Sequence, residues 1–425
     1  MWKYRCKTHL SAIGIGFLIG LLLAGLFYAL PIDLSLYKEM MTEEMITFIQ
    51  NNPVLMIISG AFTGAGFANV IMITQYMMTF SSLVPIIMLA LVFLFPTELL
   101  TLGTLLVIPT VAVCTYGLIS LNNQIKKNMQ EAGLTSQADI LERYKLRHEL
   151  YEDVYPKAEE CYKNKRQATM IYALGIGAIT FILMIINNLL LLTLVVVLYF
   201  FAFNFLLRYR ATCMIPITGI MYDDCDPERC ASALFYLANK GRKFKISDHI
   251  LMAQCMIYMD EPELAKASLI WLPLKDASSA LNYWSTKAYA DYLLKDEAAL
   301  AKDKEEASKV RMNFGPTGVM IQNAEIQSID NKVSLMNGDF YTAKRYYLAA
   351  MQRTKFKFQL VDASYYIALL SFVEEDYTLA TMYFEKVLKY GNRMSYVEKA
   401  KRYMEKIQAM EVQEQENTET VNEDS

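Results

Sequence analysis

Histidine is scarce in this chain of 425 residues: His9, His148 and His249 are all it has. Three dispersed histidines make neither an acid–base pair nor a ligand set, so no catalytic, cofactor or metal site is expected from them. Phosphate-binding glycine loops, dinucleotide fingerprints and nucleophile motifs are missing too. A formal charge of −3 is too small to imply nucleic acid, and no nucleic-acid signature is present. Seven cysteines, Cys6, Cys114, Cys161, Cys213, Cys225, Cys230 and Cys255, show no pairing framework and read as reduced thiols. The largest absence is of charge itself. Residues 167–207 (41 positions) and 45–97 (53 positions) contain no Lys, Arg, Asp, Glu or His.

About 20 apolar residues, each rising ~1.5 Å, already cross a bilayer core of ~30 Å. Each uncharged run is too long for one crossing and suits two, the run at 167–207 being cut by the turn-forming pair Asn187-Asn188. The spans are expected at about 10–30, 53–73, 80–95 (which contains Pro85) and 99–121, followed by a hairpin of 168–187 and 189–207. The span at 10–30 reads as a retained anchor, because Phe27-Tyr28-Ala29-Leu30-Pro31 is a poor cleavage site. Basic flanks at Lys3–Lys7, Lys126-Lys127, Lys163–Arg166 and Arg208–Arg210 fall on one side of the membrane with six spans and not with five. Both termini are therefore expected in the cytoplasm, in a multi-pass protein of the plasma membrane. Cys161, Cys225 and Cys230, outside the spans, are expected to report that sidedness to an impermeant thiol reagent.

Gly16, Gly20 and Ala24 lie four apart, as do Gly60, Gly64 and Ala68. Such stripes let helix backbones approach closely, within the chain or in a homo-oligomer. Polar residues at membrane depth are few, chiefly Asn69 and Gln75, with Glu98 at an interface. No charged relay is present, which disfavours a coupled transporter.

Residues 122–167 carry nine basic and eight acidic residues, with Leu141, Leu146, Leu150 and Val154 at roughly helical spacing. One or two amphipathic helices are expected there, packed on the soluble half. His148-Glu149 with Glu152 and Asp153 lacks the second histidine of a zinc motif, so a charged helix face is the better reading.

Residues 209–425 hold 27 of the 41 basic and 31 of the 44 acidic residues. The domains expected are thus 1–121, 122–167, 168–208, a soluble domain at 209–410, and an acidic, disordered tail at 411–425 with six acidic residues and no basic one. In the soluble half, turns at Asp226-Pro227-Glu228, Asp260-Glu261-Pro262, Asp296-Glu297-Ala298, Gly338-Asp339-Phe340 and Glu375-Asp376-Tyr377 each begin five residues before an alanine. Those alanines, Ala231, Ala265, Ala301, Ala343 and Ala380, are spaced by 34, 36, 42 and 37 residues. Phe235, Leu269, Tyr347 and Phe384 follow four residues after four of them, whereas Glu305 follows Ala301.

The pattern resembles the tetratricopeptide repeat, a helix–turn–helix unit of about 34 residues. The resemblance covers roughly residues 226–410 and departs from the family around Ala301, where the spacing of 42 implies an insertion near Phe314-Gly315-Pro316. It implies an α-solenoid whose concave row contains Ile250, Gln254, Ile257, Tyr283, Thr286, Ala290, Ser328, Lys332, Leu335, Tyr365, Leu369 and Phe372. Of these, Gln254, Tyr283, Lys332, Tyr365 and Phe372 are the partner-binding candidates, the alternative being that the row packs inside the repeat. The sequence leads to an all-α protein, a six-helix bundle in the lipid bilayer with a tetratricopeptide-like scaffold for a cytosolic protein or peptide, and not to an enzyme. The alternative is a permease subunit working with a cytosolic partner such as a separate ATPase.

Overall fold

The structure is a computed structural model that describes residues 1–29, 42–77, 87, 91, 95–185, 189–312 and 315–423. Among these residues every regular element is helical. The chain forms two compact units, one of Met1–Asn128, Pro273–Tyr283 and Glu306–Ile326, the other of Met129–Leu272, Trp284–Glu305 and Gln327–Ser425.

From the N-terminus come α1 (Trp2–Ala29), α2 (Glu43–Asn51), α3 (Pro53–Met77), α4 (Pro96–Leu105) and α5 (Val107–Glu131). Among the described residues α1 and α3 are long and apolar enough to cross a membrane, and α4 with α5 makes a third span if their 48° bend is counted as one crossing. That gives two to three candidate spans where the sequence reading has six. The spans expected at 10–30 and 53–73 fall on α1 and α3. The one at 80–95 lies almost wholly outside the described residues. The one at 99–121 is not a straight helix: it breaks at Leu106, three residues before Pro109. Proline has no N–H for the i→i−4 bond and its ring clashes with the preceding turn, so it sits in the opening turn of a new helix.

Small residues join α1 to α3. A Cβ placed on Gly64 would lie 2.3 Å from the Gly16 carbonyl oxygen and 2.9 Å from the Gly20 Cα, and one on Gly60 would meet the Ala24 methyl at 2.6 Å. The two stripes read from the sequence are thus spent on each other, and a second copy would need another face. Asn69, fully buried, ties a third helix to this pair. Its Nδ2 donates to the Gly103 carbonyl at 3.0 Å and its Oδ1 lies 2.9 Å from His9 Nε2. A buried amide without such partners would cost several kcal/mol in apolar surroundings.

The second unit contains α6 (Ala138–Lys145), a 3₁₀ turn at Glu152–Val154, α7 (Tyr155–Ile185), α8 (Leu189–Thr212), α9 (Ile215–Tyr222), α10 (Pro227–Ala238), α11 (His249–Tyr258) and α12 (Pro262–Leu269). Then follow α13 (Ala277–Leu293), α14 (Glu297–Lys309), α15 (Gly315–Met336), α16 (Phe340–Arg353), α17 (Lys357–Val373), α18 (Tyr377–Tyr390) and α19 (Ser395–Glu423), the first three of them shared with the first unit. The hairpin expected at 168–187 and 189–207 falls on α7 and α8, whose turn at 186–188 lies outside the described residues. Tyr172 and Phe203 hold the two together, with ring centroids 4.7 Å apart. The acidic tail differs from expectation: α19 runs on through Glu411 to Glu423. Glu, Gln and Met are good helix formers and no Gly or Pro interrupts them.

The five repeat turns share one backbone device. Cys225, Asp260, Lys295, Gly338 and Glu375, one before each turn's helix, all have positive φ, between 54° and 76°. At four of them the next residue's N–H reaches back five residues: Glu261 to Met256, Asp296 to Asp291, Asp339 to Ser334 and Asp376 to Ser371, at 2.8–3.0 Å. Asp226 reaches back six, to Ile220, at 3.0 Å. A left-handed residue closes one helix in this way. The following acid then caps the next, as Asp226, Asp296, Asp339 and Asp376 accept backbone N–H groups at 3.0–3.2 Å.

In the third repeat the inward positions are out of the expected register by one residue. Its buried positions are Leu300, Asp303 and Ala307, while Ala301 is exposed. Neighbouring helices therefore follow one another as a helical repeat in the general sense, and a solenoid is not shown.

We predict that Gly64→Val lowers the melting temperature of the detergent-solubilised protein by the equivalent of at least ~1–3 kcal/mol of overpacking. Gly25→Val, where a Cβ meets nothing within 4 Å, should melt with wild type. Equal melting of the two variants would refute the seam.

Candidate functional site

The five partner-binding candidates do not form one accessible row. Tyr283 belongs to the first unit, and the other four to the second. Gln254 Oε1 accepts from the Tyr222 hydroxyl at 3.0 Å. Tyr365 is buried and stacks on Tyr396, with centroids 4.2 Å apart and planes 2° off parallel. Phe372 packs edge-on against Tyr377 and Tyr403. Tyr365 is thus interior packing, whereas Gln254 and Phe372 are half-buried against neighbouring side chains.

Lys332 is the most deeply enclosed. Its ammonium lies 3.6, 4.3, 5.3 and 5.4 Å from the ring centroids of Tyr289, Tyr366, Tyr347 and Tyr292, and donates to the Tyr347 hydroxyl at 2.7 Å. Asp362 stands behind the cage and accepts from Tyr289 at 2.5 Å and Tyr396 at 3.0 Å. Burial pulls Lys332 down to about 8, with the charge of Asp362 opposing. Burial also pushes the tyrosines Tyr289, Tyr347, Tyr366 and Tyr396 well above their ordinary range, so they stay phenols. A partner cannot reach Lys332, which is only 4% exposed.

A second buried group took the sequence reading by surprise. Asp303, on the inner face of α14, meets Asp291 of α13, and Lys287 bridges them at 2.7 and 2.6 Å. Lys266 reaches Asp291 from α12 at 2.5 Å. Burial, then the neighbouring Asp291, lifts Asp303 to about 7. Burial opposes the shift of Asp291, yet the Asp303 proton and the lysines hold it below its ordinary value.

Residues 129–154 are fastened to the helical repeat by a third polar group. His148 lies between Glu228 at 3.6 Å and Glu261 at 3.3 Å, and Arg147 pairs with Glu261 at 2.9 Å. Hydrogen bonding to Glu228 raises His148 against its burial, and His148 in turn holds Glu228 low. Glu261 is the one turn acid without a side-chain cap bond, because it serves His148 and Arg147 instead. This segment's buried face is Leu134, Ile140 and Tyr144, not Leu141 and Leu146; Leu146 is 82% exposed. Tyr144 stacks on His148 and packs on Phe235, which rotates the helix by one position. His148 is thus an ion-pairing anchor rather than part of a solvated face, and no metal-holding cluster occurs among the described residues.

Open charge gathers elsewhere, in a cleft of about 480 Å³. Asp223 and Asp224 of the turn before α10 face Lys157 of α7, Lys357 of α17 and Lys389 of α18 across it. All five are exposed, and none forms an ion pair among the described residues. The cleft has a fixed frame: Asn392 Nδ2 donates to the Asp224 carbonyl at 2.8 Å, and Arg393 N–H donates to the Cys225 carbonyl at 3.3 Å. Arg393 also pairs with Glu228 at 3.3 Å. Asp226 caps α10 from the buried side, and burial raises its carboxyl. The acidic turn was visible in the sequence. Its basic counterparts lie 66–166 residues away on other helices, and no local motif announces them.

No protein-family model matches this chain, and no curated protein or solved structure matches it.

Two predictions follow from the buried charges. Lys332→Ala should destabilise by roughly 2–4 kcal/mol through an emptied cage, whereas Lys332→Met should cost little or stabilise, since a well-packed apolar group often replaces a buried ion without loss. A lysine whose folded pKa is lowered penalises the folded state below about 8, and the penalty is relieved as pH rises towards the ordinary 10.5. Thermal melts from pH 7.5 to 9.5 should therefore show wild type gaining on Lys332→Met; parallel curves would remove the charge from the account.

For the carboxylate pair, a raised folded pKa means that stability falls as pH climbs from 3.8 to about 7. Asp303→Asn should melt above wild type at pH 8, and Asp291→Asn should lose about 3 kcal/mol by stranding Lys266 and leaving Lys287 only Asp303. Equal loss in both variants at pH 5.5 would show that Asp303 is already ionised there in the fold, against a raised carboxyl.

Proposed function

We propose that this chain is an integral membrane protein whose cytoplasmic, tetratricopeptide-like domain recruits a protein or peptide partner to the membrane. In this reading six spans insert in the plasma membrane, and the N-terminus, residues 122–167 and the helical repeat face the cytosol. Support for the sidedness comes from the basic flanks, which all fall on one face with that count. The observation that carries the recruiting role is the cleft bounded by Asp223, Asp224, Lys157, Lys357 and Lys389. The charges buried in the unit are neutralised in pairs, as at His148 and Lys287. Here charges of both signs stay open on a rigid frame. A segment carrying both signs would complete them, and the electrostatic match would set orientation and on-rate.

Topology can be read without a cysteine-free background. All seven native cysteines are buried, and burial pushes the Cys225 thiol up to about 12, so Cys161, Cys225 and Cys230 are poor reporters of sidedness. Glu385 is exposed, and Glu385→Cys supplies a single reactive thiol. An impermeant maleimide should leave intact cells unlabelled and react once the membrane is opened. Labelling from outside would put the repeat on the wrong side for any cytosolic partner. A photo-cross-linking amino acid at Lys389 should then capture a discrete partner in living cells, and Asp223→Lys with Asp224→Lys should abolish that adduct. An unchanged adduct pattern in the charge-reversed variant would sink the cleft as the recruiting site.

A further inference from the structure

The base of the α7–α8 hairpin holds a second, smaller pocket, of about 330 Å³, lined by Tyr162, Lys165, Arg166, Thr169, Met170, Met214, Leu237 and Ser247. Its position along the chain is specific. Arg166 is the last charged residue before the uncharged run at 167–207. The pocket wall therefore changes within one helical turn of α7 from two cations to Thr169 and Met170. Met214 opens α9 on the far side of the hairpin, and Leu237 closes α10. Ser247 ends a loop whose exposed residues include Arg242, Lys243 and Lys245.

The cations are unspent. Neither Lys165 nor Arg166 forms an ion pair among the described residues, and no acid lines the pocket. Nearby acids are engaged: Glu159 pairs with Lys240 at 2.5 Å, and Asp248 caps α11 by accepting the Leu251 N–H. The pocket thus offers a guanidinium, an ammonium and the three hydroxyls of Tyr162, Thr169 and Ser247, together with thioether and leucine carbon.

We propose that this pocket binds the headgroup of an anionic phospholipid, its phosphate on Lys165 and Arg166 and its glycerol and first acyl carbons against Met170, Met214 and Leu237. Arginine suits the phosphate because its planar fork donates two parallel hydrogen bonds. Basic pockets at the cytoplasmic ends of membrane helices attract anionic lipid by the same field that orients the protein. An apolar floor beside the cations selects a lipid over a free anion. The volume is in the range of small-ligand sites, about 300–1,000 Å³. The assignment rests on the reading that α7 beyond Arg166 and α8 lie in the bilayer.

The test uses the full-length protein, purified in a mild detergent and titrated with phosphatidylglycerol or phosphatidylcholine while bound lipid is counted by native mass spectrometry. Wild type should retain phosphatidylglycerol in clear preference. Lys165→Gln with Arg166→Gln should retain it roughly tenfold less, whereas Arg208→Gln with Arg210→Gln, outside the pocket, should resemble wild type. Should the first double variant elute or melt abnormally, Ser247→Glu places an acid at the exposed rim and should lose the same lipid. Equal retention of both lipids, equal loss in both double variants, or displacement of lipid by millimolar inorganic phosphate would each overturn the proposal. Leu198, 59% exposed on α8, separates this from failure of the membrane reading. In nanodiscs, Leu198→Cys should resist an aqueous maleimide. If it reacts, the hairpin is outside the bilayer and both ideas fall; if it is silent while lipid selectivity is missing, the lipid site alone falls.

Discussion

A lysine with no route to water organises the helical unit. Lys332 leaves α15 among rings supplied by α13, α16 and α17, and the acid behind those rings, Asp362, is held by a hydroxyl from α19. Five helices, spread from Tyr289 to Tyr396, must be in place before the ammonium is satisfied. Ring faces attract a cation by their quadrupole, and the attraction grows when water is excluded. Yet the same exclusion makes the charge costly, which is why its pKa falls. The cage therefore favours one arrangement of helices more than it adds stability. A helix displaced by one residue would leave an ammonium buried without partners.

The first unit obeys a different constraint. Among the described residues its interior has almost no polar group to specify a unique contact, and its helices are matched by shape through glycine and alanine. The exception is Asn69, whose amide reaches α1 and α4 at once. In apolar surroundings van der Waals fit decides the approach of two helices, and one amide with two obligatory partners can fix their rotation.

Those two constraints explain what the sequence disclosed. The five turns were legible, because a turn between two helices is a local event: each holds a left-handed residue, and at four of them Asp226, Asp296, Asp339 and Asp376 cap the next helix. The stripes at Gly16–Ala24 and Gly60–Ala68 were legible as close-approach surfaces for the same reason. What misled was anything decided by a distant neighbour. Ala301 matched the alanine period, but the cap at Asp296 set Leu300 inward and brought Asp303 against Asp291. Lys332 and Tyr365 stood in the row a concave surface would use, and their neighbours closed over them. Leu146 had helical spacing, but Tyr144 had the better partners in His148 and Phe235. The straight span at 99–121 ignored Pro109, a residue whose local effect was there to be read.

Charge placement separates the parts of this chain that hold it together from those left to act. Inside the helical unit every strongly buried charge has a counter-charge or a ring: Lys332 its tyrosines, Lys287 its two aspartates, His148 its two glutamates. Such groups are expensive to expose and poor at recognising a visitor, since any visitor must first break the existing pair. Unpaired charges cost little at the surface, and the ones on rigid frames keep their full attraction for a partner. Asp223, Asp224 and Lys357 fit that description in the cleft before α10, as do Lys165 and Arg166 at the hairpin base. One cleft offers both signs, which suits a polypeptide of mixed charge; the other offers only positive charge above an apolar floor, which suits a lipid. The same accounting that removes Lys332 from the functional candidates therefore puts these residues in its place.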